Sequence, residues 1–203
     1  MRTIGSNREA TWLAIRKAGI ELIYRHGFEA MNLRDLAHQA GLKGAGSLYN
    51  YFSSKDDFLF RIMCEIMEEI LAELDKNLEA VQGVSERINA FVAFHIRWHT
   101  ARRKETLISH AEMRSLSANH YKHYIGLRKK YEQFFMGLIV AGGHNGDFSV
   151  PDVHILTQSI LSMLTSVCNW YHARGRISQQ RLIVIHQQMV LAMLRSGKPP
   201  STQ

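Results

Sequence analysis

A chain of 203 residues, 46% of them hydrophobic, can bury a sizeable core, either as one large domain or as a small one joined to a larger. Only three prolines, together with the lack of any alternating apolar–polar stretch, point to an all-α fold and exclude a sheet architecture. The formal charge of +7 suits a polyanionic partner, but the basic excess is spread along the chain, so charge alone marks no nucleic-acid surface.

The helical pattern starts near Arg8, where Trp12, Ile15, Ala18, Leu22 and Ile23 form one apolar stripe that Gly27-Phe28 ends near His26. Phe28 and Met31 continue that small core. Asn32 is a good N-cap for a short helix whose Leu33, Leu36, Ala37 and Ala40 recur at helical spacing before Gly41 stops it. After a turn, a second short helix carries Leu48 inward and Ser47 and Asn50 outward, and Tyr51-Phe52 closes a helix-turn-helix. Lys55 then opens a long amphipathic helix reaching Leu78, with Glu65, Glu68, Glu69 and Glu73 on its solvated side.

Gly83 breaks that helix, and a Ser85-led one follows with Ile88, Phe91, Val92, His95, Ile96 and Trp98, ending in the basic cluster Arg102–Lys104. A segment from Leu107 to Leu116 leads through Ser117–Asn119 into an aromatic-rich helix expected to end near Ala141. The loop GGHNGDFSVPD is the clearest break, after which Pro151 suits the first turn of a helix running from Asp152 to about Tyr171. A final helix spans Ser178 to about Leu194, before a polar tail, GKPPSTQ, expected to fray. These last two helices are apolar over wide stripes. Leu156, Ile160, Met163, Leu164, Ile185 and Met189 are therefore expected at a homodimer interface, a well-buried internal hairpin being the plainer alternative.

Cys64 and Cys168 lie far apart in apolar helical contexts and read as reduced, buried thiols. The first residues lack an apolar signal core, and the longest apolar run, Phe134 to Gly143, is too short to cross a bilayer, so a cytoplasmic protein without a membrane partner is expected. His95 and His99 are four apart and His120 and His123 three apart, spacings that permit shared metal ligation. Without a HExxH pattern or a nearby Cys, ordinary histidines are the preferred account, and no metal or cofactor is expected. No nucleophile elbow, phosphate-binding glycine loop or carboxylate pair argues for an enzyme.

The residues Leu22-Ile23, Gly27-Phe28, Ala30, Asn32-Leu33, Asp35-Leu36-Ala37, Ala40-Gly41-Leu42, Ser47-Leu48-Tyr49, Tyr51-Phe52 and Ser54-Lys55 give the chain a resemblance to the TetR family of bacterial transcriptional regulators. The resemblance implies about nine helices, with a DNA-binding head over residues 1–54 and an effector-binding and dimerising body over 55–203. It implies that Tyr49 and Lys55 meet phosphates, Lys55 at the start of the long helix where backbone N–H groups face an anion, and that Asn32 does the same at the second helix. Lys43, Ser47 and Asn50 are the candidates for base edges or the groove, with Gly44 beside them and Arg34 a further phosphate candidate. One departure stands out: LKGAGS puts one residue more between Gly41 and Leu48-Tyr49 than family members usually have, and Gly44 and Gly46 are expected to absorb it through positive φ.

A second, narrower resemblance lies in Glu112–Leu116, Leu127-Arg128, Tyr131-Glu132, the loop Gly143–Phe148 and Trp170-Tyr171 with Arg174 and Gly175. These residues look like the TetR regulators that sense acyl-CoA thioesters, which implies a small-molecule effector held by Phe91, His95, Trp98, Met113, Arg114, Tyr121, Tyr124, Arg128 and Trp170. The expectation is a ligand-responsive repressor bound as a dimer to a palindromic operator. The alternative is a constitutive DNA-binding regulator with no effector.

Overall fold

The computed structural model describes residues 4–195, and the tail expected to fray lies outside them. Among the described residues there are eight α-helices, two 3-10 segments and no strand. None of these helices is long and apolar enough to cross a membrane. They form two compact units, one made of residues up to Ile66 with Lys104–Ile125, the other of Met67–Arg103 with Gly126 onward.

In the first unit, α1 (Ile4–His26) buries the expected stripe from Trp12 to Ile23. Gly27, at φ 78°, turns the chain out of the helix in a conformation that only glycine adopts cheaply. α2 (Leu33–Gln39) packs on α1 through Leu36 and Ala37, and Asn32 caps it as expected by accepting from the Asp35 amide at 2.8 Å. The second helix of the motif is a 3-10 segment, Ala45–Asn50, with Leu48 fully buried beneath it. α3 (Lys55–Leu78) begins and ends where the sequence places it, and its first half fills the unit with Phe58, Leu59, Ile62 and Met63.

The remaining part of this unit belongs to α5 (Arg103–Ala111), which begins four residues before the expected Leu107, so the basic cluster follows α4 as expected and also opens the next helix. A 3-10 segment, Glu112–Ser115, leads into α6 (Ala118–His144). Glu112 accepts from the Phe28 amide at 3.1 Å, and Asp56, two residues into α3, accepts from the Ser117 amide at 2.9 Å and pairs with His120 at 2.6 Å. Burial opposes ionisation of Asp56, but the Ser117 bonds and the His120 ring hold its carboxyl below the usual aspartate range. That contribution to stability is present above the pKa of an unfolded aspartate and is lost as pH falls through the lowered folded one.

The second unit is built on α4 (Val84–Ala101), which packs against both α7 (Val153–Trp170) and α8 (Gln179–Arg195). Burial of Ile88, Phe91, Val92 and Ile96 against Ile160, Leu164, Leu182, Ile183 and Val190 forms its centre. α6 runs three residues past Ala141 through two glycines, because the turn-forming glycine is Gly146 at φ 78°. Pro151 is outside α7: Asp152 is the cap, its carboxylate accepting from the Ile155 amide at 2.9 Å, so the first turn starts at Val153. Cys64 and Cys168 are buried thiols outside any disulfide, as expected, and burial raises the Cys168 thiol pKa.

Candidate nucleic-acid interface and effector-binding residues

The turn between α2 and the 3-10 segment carries the extra residue, and its backbone differs from the expectation. Neither Gly44 nor Gly46 has positive φ; Gly41 does, at 74°, and Gly44 is extended at φ −178°, which any residue adopts. The only positive φ in this stretch is at Gly41; Leu42–Gly44 form a non-helical link and the second helix is 3-10 over Ala45–Asn50. Arg34, Lys43, Gly44, Tyr49 and Asn50 are all exposed and Ser47 is half-buried. Tyr49 is 58% exposed, so it does not pack into the core.

Two of the anticipated phosphate contacts are already occupied within the protein. Asn32 uses its side chain twice on Asp35, accepting from the amide and donating Nδ2–H to the carboxylate at 2.5 Å. Lys55 is half-buried, with Nζ donating to the Glu29 carbonyl at 2.8 Å and lying 4.6 Å from the Phe28 ring centroid. The first turn of α3 is also capped from within. Ser54 Oγ accepts from the Asp57 amide at 3.0 Å, and the Asp57 carboxylate accepts from the Ser53 amide at 2.7 Å. With Asp56 and Asp57 there, the backbone amides at this helix start face carboxylates of their own chain.

The sequence reading missed Arg8. It is exposed on α1, and its Nη2 donates to the Asn50 carbonyl at 3.0 Å. Its only sequence signal is a basic residue near the start of the first helix.

The nine effector candidates fall in both units. Met113, Arg114, Tyr121 and Tyr124 belong to the first, Phe91, His95, Trp98, Arg128 and Trp170 to the second. Tyr124 is fully buried, but Tyr121 is 44% exposed and Arg114 is also exposed. Trp170 is 51% exposed at the end of α7, its ring stacked on His186 at 6.4 Å, so it does not wall an enclosed site within its unit.

Phe91 and His95 do come together, in an aromatic cluster with a polar centre. Phe91 stacks on Phe135 at 4.4 Å and lies 5.4 Å from the Tyr131 ring. His95 Nδ1 is 3.0 Å from Tyr131 Oη and Nε2 is 3.1 Å from Thr165 Oγ1. Burial pushes the Tyr131 hydroxyl well above its ordinary pKa, so it stays a neutral O–H in this contact. His99 stacks on His95 at 3.8 Å and bonds through Nδ1 to the His95 carbonyl at 2.8 Å. The spacing that permits metal ligation is thus used for stacking, and among the described residues no three His, Cys, Asp or Glu side chains converge on a metal position. Tyr131 lies two helical turns beyond Tyr124 and His99 one turn beyond His95, a periodicity visible in the sequence; Thr165 gave no such signal.

At the expected dimer face, Ile160 and Leu164 are fully buried in the protomer's own core, which removes them from a subunit contact. Leu156, Met163 and Ile185 are partly exposed and Met189 is 44% exposed, alongside Ile155 at 65%.

Two family models match the chain: bacterial regulatory proteins of the tetR family over residues 15–62, and the tetracyclin repressor-like C-terminal domain over residues 82–194. The HTH-type transcriptional repressor KstR2 of Rhodococcus jostii (strain RHA1) is 24% identical over 86% of this chain and 86% of its own length. The fatty acid metabolism regulator protein of Bacillus subtilis (strain 168) is 21% identical, over 92% and 94%. AibR, solved in complex with isovaleryl coenzyme A and operator DNA, shares the fold at a TM-score of 0.79 and 21% identity, over 91% of this chain and 97% of that one. These relatives are regulators, not enzymes. With the second model covering more than half of the chain and the first covering the helix-turn-helix, the protein belongs to the TetR family of DNA-binding transcriptional regulators.

Proposed function

We propose that the chain is a homodimeric, cytoplasmic repressor that binds a palindromic operator and is released by a small effector, an acyl-CoA or a related hydrophobic acid derivative. The observation that carries the reading is the exposed segment of the helix-turn-helix. It presents Lys43, Ser47, Tyr49 and Asn50 outward, while Leu48 holds it to the core. Lys43, Ser47 and Asn50 meet base edges or the groove; Tyr49 and Arg34 meet phosphates; Lys55 positions the chain through Glu29. Residues 1–54 form the DNA-binding part, steadied by the segment from Lys104 to Ile125, and the rest of 55–203 serves effector binding and dimerisation.

Support for the effector comes from AibR, whose complex holds isovaleryl coenzyme A, and from the fatty acid metabolism regulator among the relatives. The aromatic cluster around Phe91 suits an acyl chain, and the His95–Tyr131–Thr165 group supplies the few polar atoms that orient such a ligand. The partly exposed apolar side chains of α7 and α8 support the dimer.

Selection of bound sequences from random duplex DNA tests the DNA reading. A pseudo-palindrome with half-sites about one helical turn apart, or a little more, is expected. Enrichment of a single asymmetric half-site would contradict the dimeric arrangement.

A further inference from the structure

The last carbonyls of a helical segment have no partner inside it and need donors from elsewhere. In the Ala45–Asn50 segment the amides of Tyr51 and Phe52 both bond to the Leu48 carbonyl, at 2.8 and 3.3 Å. Guanidinium groups from two different helices take the carbonyls at its end. Arg8 Nη2, from α1, donates to Asn50 O at 3.0 Å, and Arg61 Nη1, from α3, donates to Tyr51 O at 3.0 Å. Both bonds are charge-assisted and meet the negative end of the segment's dipole.

The guanidinium groups are themselves braced. Arg61 lies 3.6 Å from the Trp12 ring centroid and bonds through Nε to Glu65 at 3.0 Å, and Glu65 also accepts from Trp12 Nε1 at 2.9 Å. Tyr51 stacks on Trp12 at 6.5 Å, and the Arg8 guanidinium lies 6.0 Å from the Tyr51 ring centroid. The other end of the segment has nothing comparable, because Gly44 supplies no side-chain cap and Gly46 follows two residues on. A six-residue 3-10 turn with poorer internal bonds is therefore held at its end by two arginines.

We propose that Arg8 and Arg61 are positioning residues for operator recognition: by holding the Asn50 and Tyr51 carbonyls they fix the direction in which Ser47 and Asn50 present their side chains. Base readout tolerates misplacement of only about 0.5 Å, so a turn released at this end keeps its charge and its phosphate contacts but loses discrimination. The inference rests on the reading that Ser47 and Asn50 meet bases.

The test uses the full-length protein, the operator obtained by selection and a scrambled duplex, each titrated at several salt concentrations. Arg8 is exposed, so Arg8→Ala should fold normally, and Arg61→Lys provides a second variant that keeps the charge. Each should lower the operator-to-scrambled affinity ratio about tenfold. Arg61→Lys should leave the salt slope unchanged, and Arg8→Ala should shift the Asn50 carbonyl carbon resonance of the free protein. Parallel losses on both duplexes with a flatter salt slope would make Arg8 a phosphate contact, and an unmoved resonance or an unchanged ratio would equally overturn the proposal. Ser47→Ala and Asn50→Ala serve as controls: if they also leave discrimination intact, the base-contact reading fails, whereas if they reduce it and the arginine variants do not, only this inference fails.

Discussion

Phe58→Ala is expected to destabilise the first unit by about 3–5 kcal/mol and to abolish operator binding at temperatures where the native protein still binds. Phe58 is fully buried, 4.7 Å from the Phe52 ring and 6.1 Å, edge to face, from Trp12. Its ring fills a notch in α1 that exists because residue 19 is glycine: a Cβ there would lie 2.2 Å from Phe58 Cζ. Removing the ring leaves a cavity that rigid neighbours cannot close, and a domain's whole stability is only about 5–15 kcal/mol. Denaturant unfolding followed by circular dichroism reads the loss, and Phe58→Leu should recover much of it. A loss below about 1 kcal/mol would show that the notch collapses and that the unit is held elsewhere.

The second large effect concerns the proposed dimer. Met189→Glu combined with Ile185→Glu should give a monomer by light scattering and weaken operator binding by about a hundredfold or more, because each head would lose the effective concentration that its partner supplies. Met189 is exposed and Ile185 partly so, and α8 keeps its hold on the protomer through Leu182, Ile183, Val190 and Leu194, all buried. Protomer unfolding should therefore change by only about 0.5 kcal/mol. A persistent dimer would move the interface away from α8, and a monomer that binds as tightly as before would remove the need for two heads.

Helical periodicity carried most of the fold. The stripe from Trp12 to Ile23, the long helix from Lys55 to Leu78 and the Asn32 cap all follow from side-chain spacing, which a single sequence displays directly. Glycine was less readable. Gly41, Gly27 and Gly146 take positive φ while Gly44 and Gly46 do not, since the local conformation depends on where the backbone must go next and not on the residue alone. The buried state of Ile160 and Leu164 had a similar cause: an apolar stripe wider than one neighbour can cover looks the same whether its second side meets the protomer's own α4 and α8 or another copy.

For the site, the motif indicated which residues are candidates for DNA contact, but not which had internal partners. The sequence does not show that the Lys55 ammonium has the Glu29 carbonyl 2.8 Å away, and Arg8 gains meaning only when a residue 42 positions away offers it a carbonyl. The polar centre at His95 was half legible. Tyr131 is on the same face of α6 as Tyr124, yet Thr165 reaches His95 from α7, a pairing that no local spacing encodes.

Under the proposed function, a hydrophobic acyl thioester and the operator favour different states of one protein, and reciprocal linkage makes that measurable. Fluorescence anisotropy of the labelled operator, titrated with the protein in the presence of acyl-CoAs of graded chain length and of free coenzyme A, reads it directly. At least one acyl-CoA is expected to raise the operator Kd by about 5- to 150-fold while free coenzyme A does not. An operator Kd unchanged by every acyl-CoA, at concentrations where calorimetry shows them bound, would contradict it.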